Sequence, residues 1–178
     1  MEPPPRTTAT PRHGISLLAA VAALALSACD EPKPRRPPPA AHLGVADPTP
    51  PAPDWARDLL GRPLAEAFPD PSGHCLGNTD AVAARYAGVP PGVKIVGWGW
   101  DTAARAVVRR VILVDIDGRI AGAGESGFPR PDVAAAVPRV TTLDSGWAAH
   151  VARTKGPLDA YGVIDDGQAL CRLGHLEF

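Results

Sequence analysis

Val107-Val-Arg-Arg-Val-Ile-Leu-Val-Asp-Ile-Asp117 is the stretch that decides the fold. It is dense in β-branched residues, which pack well on a pleated, extended backbone. In such a strand Ile112, Val114 and Ile116 line one face, while Val111 and Leu113 line the other. Apolar residues on both faces predict a central strand, covered on two sides. Asp117-Gly118 is a tight-turn pair, so the chain is expected to double back as a hairpin through Arg119-Ile-Ala-Gly-Ala-Gly124.

Outward from this hairpin the same pattern repeats. Val93 to Asp101, Gly146 to Ala152 and Leu158 to Ile164 read as strands, and Asp166-Gly167 turns the chain into Gln168 to Leu173. Arg130 to Val137 reads as a short helical turn, set up by Pro131 and Asp132 and closed by Pro138. Many short strands with frequent turn signals predict an all-β fold, an immunoglobulin-like antiparallel β-sandwich over residues 72–178. No strand–helix alternation supports a parallel α/β sheet. Residues 54–71 form a short helix and connector. There Asp54 is expected to cap the helix, Gly61 to end it, and Trp55, Leu59 and Leu60 to share one face.

The N-terminal part is of another kind. Gly14 to Cys29 is an apolar run behind Arg6, Arg12 and His13, as in a secretory signal. It is too short for the roughly 20 apolar residues of a bilayer span. Its end, Leu26-Ser27-Ala28-Cys29, resembles the lipobox of bacterial lipoproteins. That resemblance implies removal of residues 1–28, a lipid on Cys29 and an extracytoplasmic place in the cell envelope. Asp30 resembles the residue that retains some lipoproteins at the inner membrane. Residues 29–53 carry Pro32, Pro34, Pro37, Pro38, Pro39, Pro48, Pro50, Pro51 and Pro53, the composition of an extended tether. At about 3.1 Å per residue, Asp30 to Pro53 spans on the order of 70 Å.

Charge and cysteine content narrow the classes of function. From Asp54 onward there are 13 Lys/Arg and 15 Asp/Glu with no basic run, which argues against nucleic acid as a partner. With Cys29 lipidated, Cys75 and Cys171 remain. In an oxidising compartment they are expected to form a disulfide. A zinc site completed by His74 and His175, or two free thiols, are the alternatives.

No catalytic, metal or cofactor motif stands out. Ser126 lacks the second glycine spacing of a nucleophile elbow. His150 and His175, and the carboxylates Asp101, Asp132 and Asp144, have no motif that ties them together. Asp115-Ile-Asp117-Gly118 and Asp165-Asp166-Gly167 offer too few oxygens for calcium and suit turns. The stronger lead is Trp98 and Trp100. Two apart in a strand, they face one side, with Gly97 and Gly99 leaving the other side bare. Core packing is the competing reading for both.

In order, Cys75 to Asp80, Val96 to Asp101, Ile112 to Gly122, Arg130 to Val133, Ser145 to Trp147 and Ala160-Tyr161 before Leu170-Cys171 form a series. The series resembles a small β-sandwich module of bacterial envelope and glycosyltransferase-associated proteins. The resemblance implies a non-catalytic accessory domain touching envelope glycan or glycolipid. Trp98 and Trp100 would then be stacking platforms, and Asp101 and Arg130 the hydroxyl-bonding pair. The alternative is a lipoprotein that docks a membrane assembly through a sheet edge or the Trp55 helix. A hydrolase ranks third.

Overall fold

The computed structural model describes residues 46–178. The lipobox, Cys29 and most of the expected tether lie outside the described residues.

Half of the described residues are β-strand, so the expected β class holds. The strands are β1 (Asp70–Gly73), β2 (Cys75–Tyr86), β3 (Gly92–Asp101), β4 (Ala106–Val107), β5 (Arg110–Val114), β6 (Ile120–Phe128), β7 (Gly146–Val151), β8 (Pro157–Ile164) and β9 (Ala169–Glu177). They hydrogen-bond in the order β1-β9-β8-β5-β6-β7-β3-β2, with β4 added beside β3. This is one continuous sheet, curled into a half-barrel. The finer expectation of an immunoglobulin-like sandwich is not confirmed: a sandwich divides its strands between two sheets, and here they follow one hydrogen-bonded order. The sheet is also mixed, because β1 runs parallel to β9.

The two-sided strand is placed as expected. β5 lies between β6 and β8. Val111 and Leu113 point into the barrel core with Val93, Ile95, Trp147 and Leu158. Ile112 and Val114 belong to a second core on the outside, under Ala56, Phe68, Trp55 and Leu59. The expected single strand over 107–117 is interrupted, however. Val107 pairs with Trp100 of β3, whereas Arg110 pairs with β6 and β8, so the chain changes partners between them. The strand also stops at Val114, and Ile116 is exposed in the turn. That turn is a hairpin built on Asp115, whose Oδ1 accepts from the backbone N–H groups of Asp117 and Arg119 (3.0 and 2.9 Å).

The outer core is closed by the segment before β1. Asp54–Leu59 is a 3-10 helix and α1 (Leu64–Ala67) a single turn. Asp54 does not cap its helix but pairs with Arg57 (2.5 Å). Trp55 and Leu59 pack on the sheet, while Leu60 turns outward ahead of the left-handed Gly61.

Residues 46–53 belong to the domain: Thr49 is buried, and its N–H and Oγ1 both donate to the Pro90 carbonyl (2.8 and 3.0 Å). The Gly88 N–H donates to Asp47 O (2.9 Å). Cys75 and Cys171 are paired with Cα atoms 5.5 Å apart, a geometry compatible with the expected disulfide.

Candidate functional site

The outer face of β2, β3, β7 and β6 positions the groups that the sequence singled out. On β3, Val93 and Ile95 point inward and Lys94, Val96 and Trp98 outward, by the strand's two-residue period. Opposite them on β7 stand Ala148 and His150, with Gly146 facing Trp98. Small residues at Gly146, Ala148 and Ala123 make this face shallow, so longer side chains at its margins lean over it.

Arg130 is the chief of these. A Cβ on Gly146 would lie 2.9 Å from Arg130 Cγ and 2.7 Å from Phe128 O, so only glycine lets the arginine stem cross the strand there. The guanidinium reaches Asp80 Oδ2 of β2 (2.5 Å) and grips Asp132 through Nε and Nη2 (2.9 and 2.8 Å). The bridge to Asp80 therefore spans the outer face beside Trp98. Asp80 lies two residues after Asn78 in β2, so ordinary strand alternation puts both on the same side, next to the bulge between Thr79 and Ala81. Asn78 Nδ2 donates to Asp80 Oδ1 (2.7 Å). The hydrogen bond to Asp132, with help from Asp80, raises the Arg130 pKa further and fixes its charge. The Arg130 hydrogen bond in turn lowers that of Asp132.

Toward the other margin, Lys94 Nζ lies 5.4 Å from the Phe128 ring centroid, within cation–π range. His150 Nδ1 meets the Tyr86 hydroxyl (3.1 Å). Burial first, and then the Lys94 charge, lower the His150 pKa and favour neutral imidazole. Pro50, Pro51 and Pro53 edge a shallow cleft of about 280 Å³ over Lys94, Ala148, His150 and Phe128.

Of the four residues expected to bind ligand, two meet here and two do not. Trp98 is half-buried toward the far end of β3, packed at the edge of the Trp100, Val133 and Val140 cluster, with Arg130 across Gly146. Trp100 is corrected: it is 4% exposed, packed against Val133 and Val140, so its ring offers no stacking surface. The covering element is α2 (Pro131–Ala136), expected from the sequence, which folds over the end of β3. Asp101 is corrected too. It is buried, and its Oδ1 accepts the N–H groups of Ala103 and Ala104 (2.8 and 3.1 Å), a turn-forming role. The bare face at Gly97 is filled by Trp147, whose Cζ2 would lie 2.4 Å from a Cβ there.

Asn78, Asp80 and Phe128 are the members of the face that the sequence reading missed. For Asn78 and Asp80 the available signal is the alternation through Cys75 to Asp80, which Gly77 obscures, and Phe128 has no comparable signal.

The other candidates are dispersed. Ser126 Oγ donates to the Val108 carbonyl. His175 Nδ1 contacts Asp159 (3.1 Å), a carboxylate also bound by Arg172 (2.8 Å). Asp165 and Asp166 occupy left-handed turn positions. Among the described residues, no three His, Cys, Asp or Glu side chains are grouped to hold a metal ion, and no helix is long and apolar enough to cross a membrane.

No protein-family model, curated protein or solved structure matches the chain.

Proposed function

We propose that this chain is a lipid-anchored envelope protein whose domain is a non-catalytic binding module for envelope glycan or glycolipid. The ligand would lie on the outer face of β2, β3, β7 and β6. What supports the reading is the convergence of one aromatic plane, Trp98, with the Arg130–Asp80–Asn78 hydrogen-bonding set on a face of small residues. A pyranose presents an apolar face for an indole and hydroxyls for a charged donor and acceptor, and a shallow surface admits an extended chain. Phe128 and Lys94 extend the same surface. The lipobox resemblance supports the anchor, and the ordered motif series supports an accessory role.

Calorimetric titration of the mature chain with a panel of purified envelope polysaccharides tests this reading, with iodide quenching of tryptophan fluorescence alongside. One glycan is expected to bind and to shield Trp98, and binding is expected to drop at least tenfold in Arg130→Ala and Trp98→Ala. Retained near-ultraviolet dichroism would show that these variants remain folded. A panel with no binder, or a binder indifferent to both variants, overturns the reading.

A further inference from the structure

We infer that the domain rests one particular end of its barrel on the membrane, and that Val89, Ile116 and Leu60 enter the lipid interface there. The inference rests on the lipid-anchor reading of Cys29.

Strand register defines that end. Val151 at the end of β7 pairs with Val93 near the start of β3 and with Gly122 near the start of β6. Val114 at the end of β5 pairs with Asp159 near the start of β8. The β2–β3, β5–β6 and β7–β8 connections therefore emerge side by side. Val89 tips the first and is 91% exposed; Ile116 tips the second and is 78% exposed. Leu60, at 42%, lies between them: it borders the same apolar groove as Val89 and Pro90, and the next residue, Gly61, donates to Ile120 O (2.8 Å). Isolated apolar side chains on a surface are ordinary, but three on adjoining loop tips form a patch.

Two further observations select a membrane as the occupant. First, the anchor arrives at this end. Asp47 and Thr49 are fastened to Gly88 and Pro90, next to Val89. Fully extended at about 3.6 Å per residue, the roughly 16 residues 30–45 span at most about 60 Å, so the domain stays within reach of the bilayer. Second, cations surround the tips. Arg62, Arg85, Arg119 and Lys155 have no carboxylate partner among the described residues, and Arg85 and Arg119 are held on the carbonyls of Thr154 and Gly61 (3.2 and 2.8 Å). Asp117 directly follows Ile116, and Asp47 and Glu177 share this end, so the four cations only slightly outnumber these carboxylates and the apolar tips carry most of the contact. Apolar side chains flanked by Arg and Lys fit the interface of an anionic bilayer. In this orientation the Trp98–Arg130 face, which lies toward the opposite end of β3, is turned to the envelope space.

The test uses the mature lipidated chain in phosphatidylethanolamine–phosphatidylglycerol vesicles containing a headgroup nitroxide lipid. A fluorophore is attached through Val89→Cys, Ile116→Cys or, at the opposite end, Asp166→Cys. Quenching at Val89 and Ile116 is expected to exceed that at Asp166 at least twofold. Equal quenching at all three positions in an anchored protein overturns the inference and leaves the anchor standing. A mature chain whose mass shows no lipid defeats the anchor reading instead. In that case a Cys29→Ser chain still quenched at Val89 by the same vesicles upholds the contact, and one quenched nowhere overturns it.

Discussion

Cys75 of β2 and Cys171 of β9 lie near opposite ends of the hydrogen-bonded strand order, yet their Cα atoms are 5.5 Å apart and their sulfurs are joined. The sheet curls until its ends nearly meet, and the chain crosses the seam at His74, between β1 and β2. The disulfide thus closes what hydrogen bonds leave open. With a sequence separation of 96, the chain-entropy estimate of its contribution is about 4–5 kcal/mol as a ceiling. The paired variant Cys75→Ser, Cys171→Ser is expected to lose several kcal/mol in urea unfolding. A loss below about 1 kcal/mol would mean that the curl holds without the staple.

Gly97 is the contact point between β3 and the largest buried ring. A Cβ there would lie 2.1 Å from Asn78 O and 2.4 Å from Trp147 Cζ2, and Trp147 is fully buried with no room to retreat. Gly97→Ala is expected to cost about 2–3 kcal/mol through overpacking. Gly118→Ala is a useful contrast. Its added methyl meets nothing within 4 Å, and the cost of its left-handed φ alone, about 1 kcal/mol, is expected. Thermal unfolding of the two variants ranks them; the reverse order would contradict the packing described for the barrel.

Thr49 fixes residues 46–53 against the β2–β3 loop. Its backbone and side chain both donate to one carbonyl, that of Pro90, at 2.8 and 3.0 Å. Thr49→Val keeps the shape and removes the side-chain donor, which is expected to cost about 1 kcal/mol. The sharper readout is limited proteolysis between Ala46 and Pro53, expected to quicken several-fold in the variant. Unchanged cleavage would show that the proline rings alone hold the segment.

The legible parts of this chain were those written in local chemistry. The β5 pattern gave a strand covered on both sides because each face meets a different core, and Asp-Gly gave its turn. The pairing of Cys75 with Cys171 followed from compartment and count. What the sequence did not carry was the partner of each strand. Nothing in Val107 to Arg110 announces that hydrogen bonding passes from β3 to β6 and β8, and so one sheet was read as two. Trp100 and Trp98 look alike in the sequence; the cluster formed with α2 buries Trp100 and leaves Trp98, packed at its edge, half-exposed, a tertiary difference that alternation does not encode. Asp80 and Arg130 lie 50 residues apart in the chain, and no local pattern announces that they meet. The proline-rich stretch read as uniform tether, and Thr49, the residue that docks its end, is chemically unremarkable.

Arg130 and its carboxylates allow binding to be separated from folding. Its pair with Asp80 is partly shielded and that with Asp132 is open to solvent. Exposed ion pairs contribute about 0–1 kcal/mol. Asp132→Asn is therefore expected to leave stability within about 0.5 kcal/mol, and Asp80→Asn to lose no more than about 1 kcal/mol. Urea unfolding at low and at 1 M salt checks both. A larger loss in Asp80→Asn would make the bridge part of the fold and weaken its standing as ligand-binding apparatus.

His150 gives the domain a pH response of definite sign. It sits between Lys94, across the β3–β7 pair, and the Tyr86 hydroxyl, and burial and the lysine charge together lower its pKa below the ordinary 6.5. The unfolded chain therefore takes up a proton near pH 6.5, while the folded domain takes it up only at lower pH. In that window the unfolded state binds more protons, so stability falls as the pH is lowered and is regained above about 6.5. The melting temperature is expected to drop between pH 7.5 and 5.5. His150→Gln keeps a polar group beside Tyr86 and removes the titration, so it is expected to flatten that drop. If wild type and His150→Gln lose the same number of degrees, the imidazole is not neutral in the fold, and the cleft beneath Pro50 and Pro51 is wetter than its packing implies.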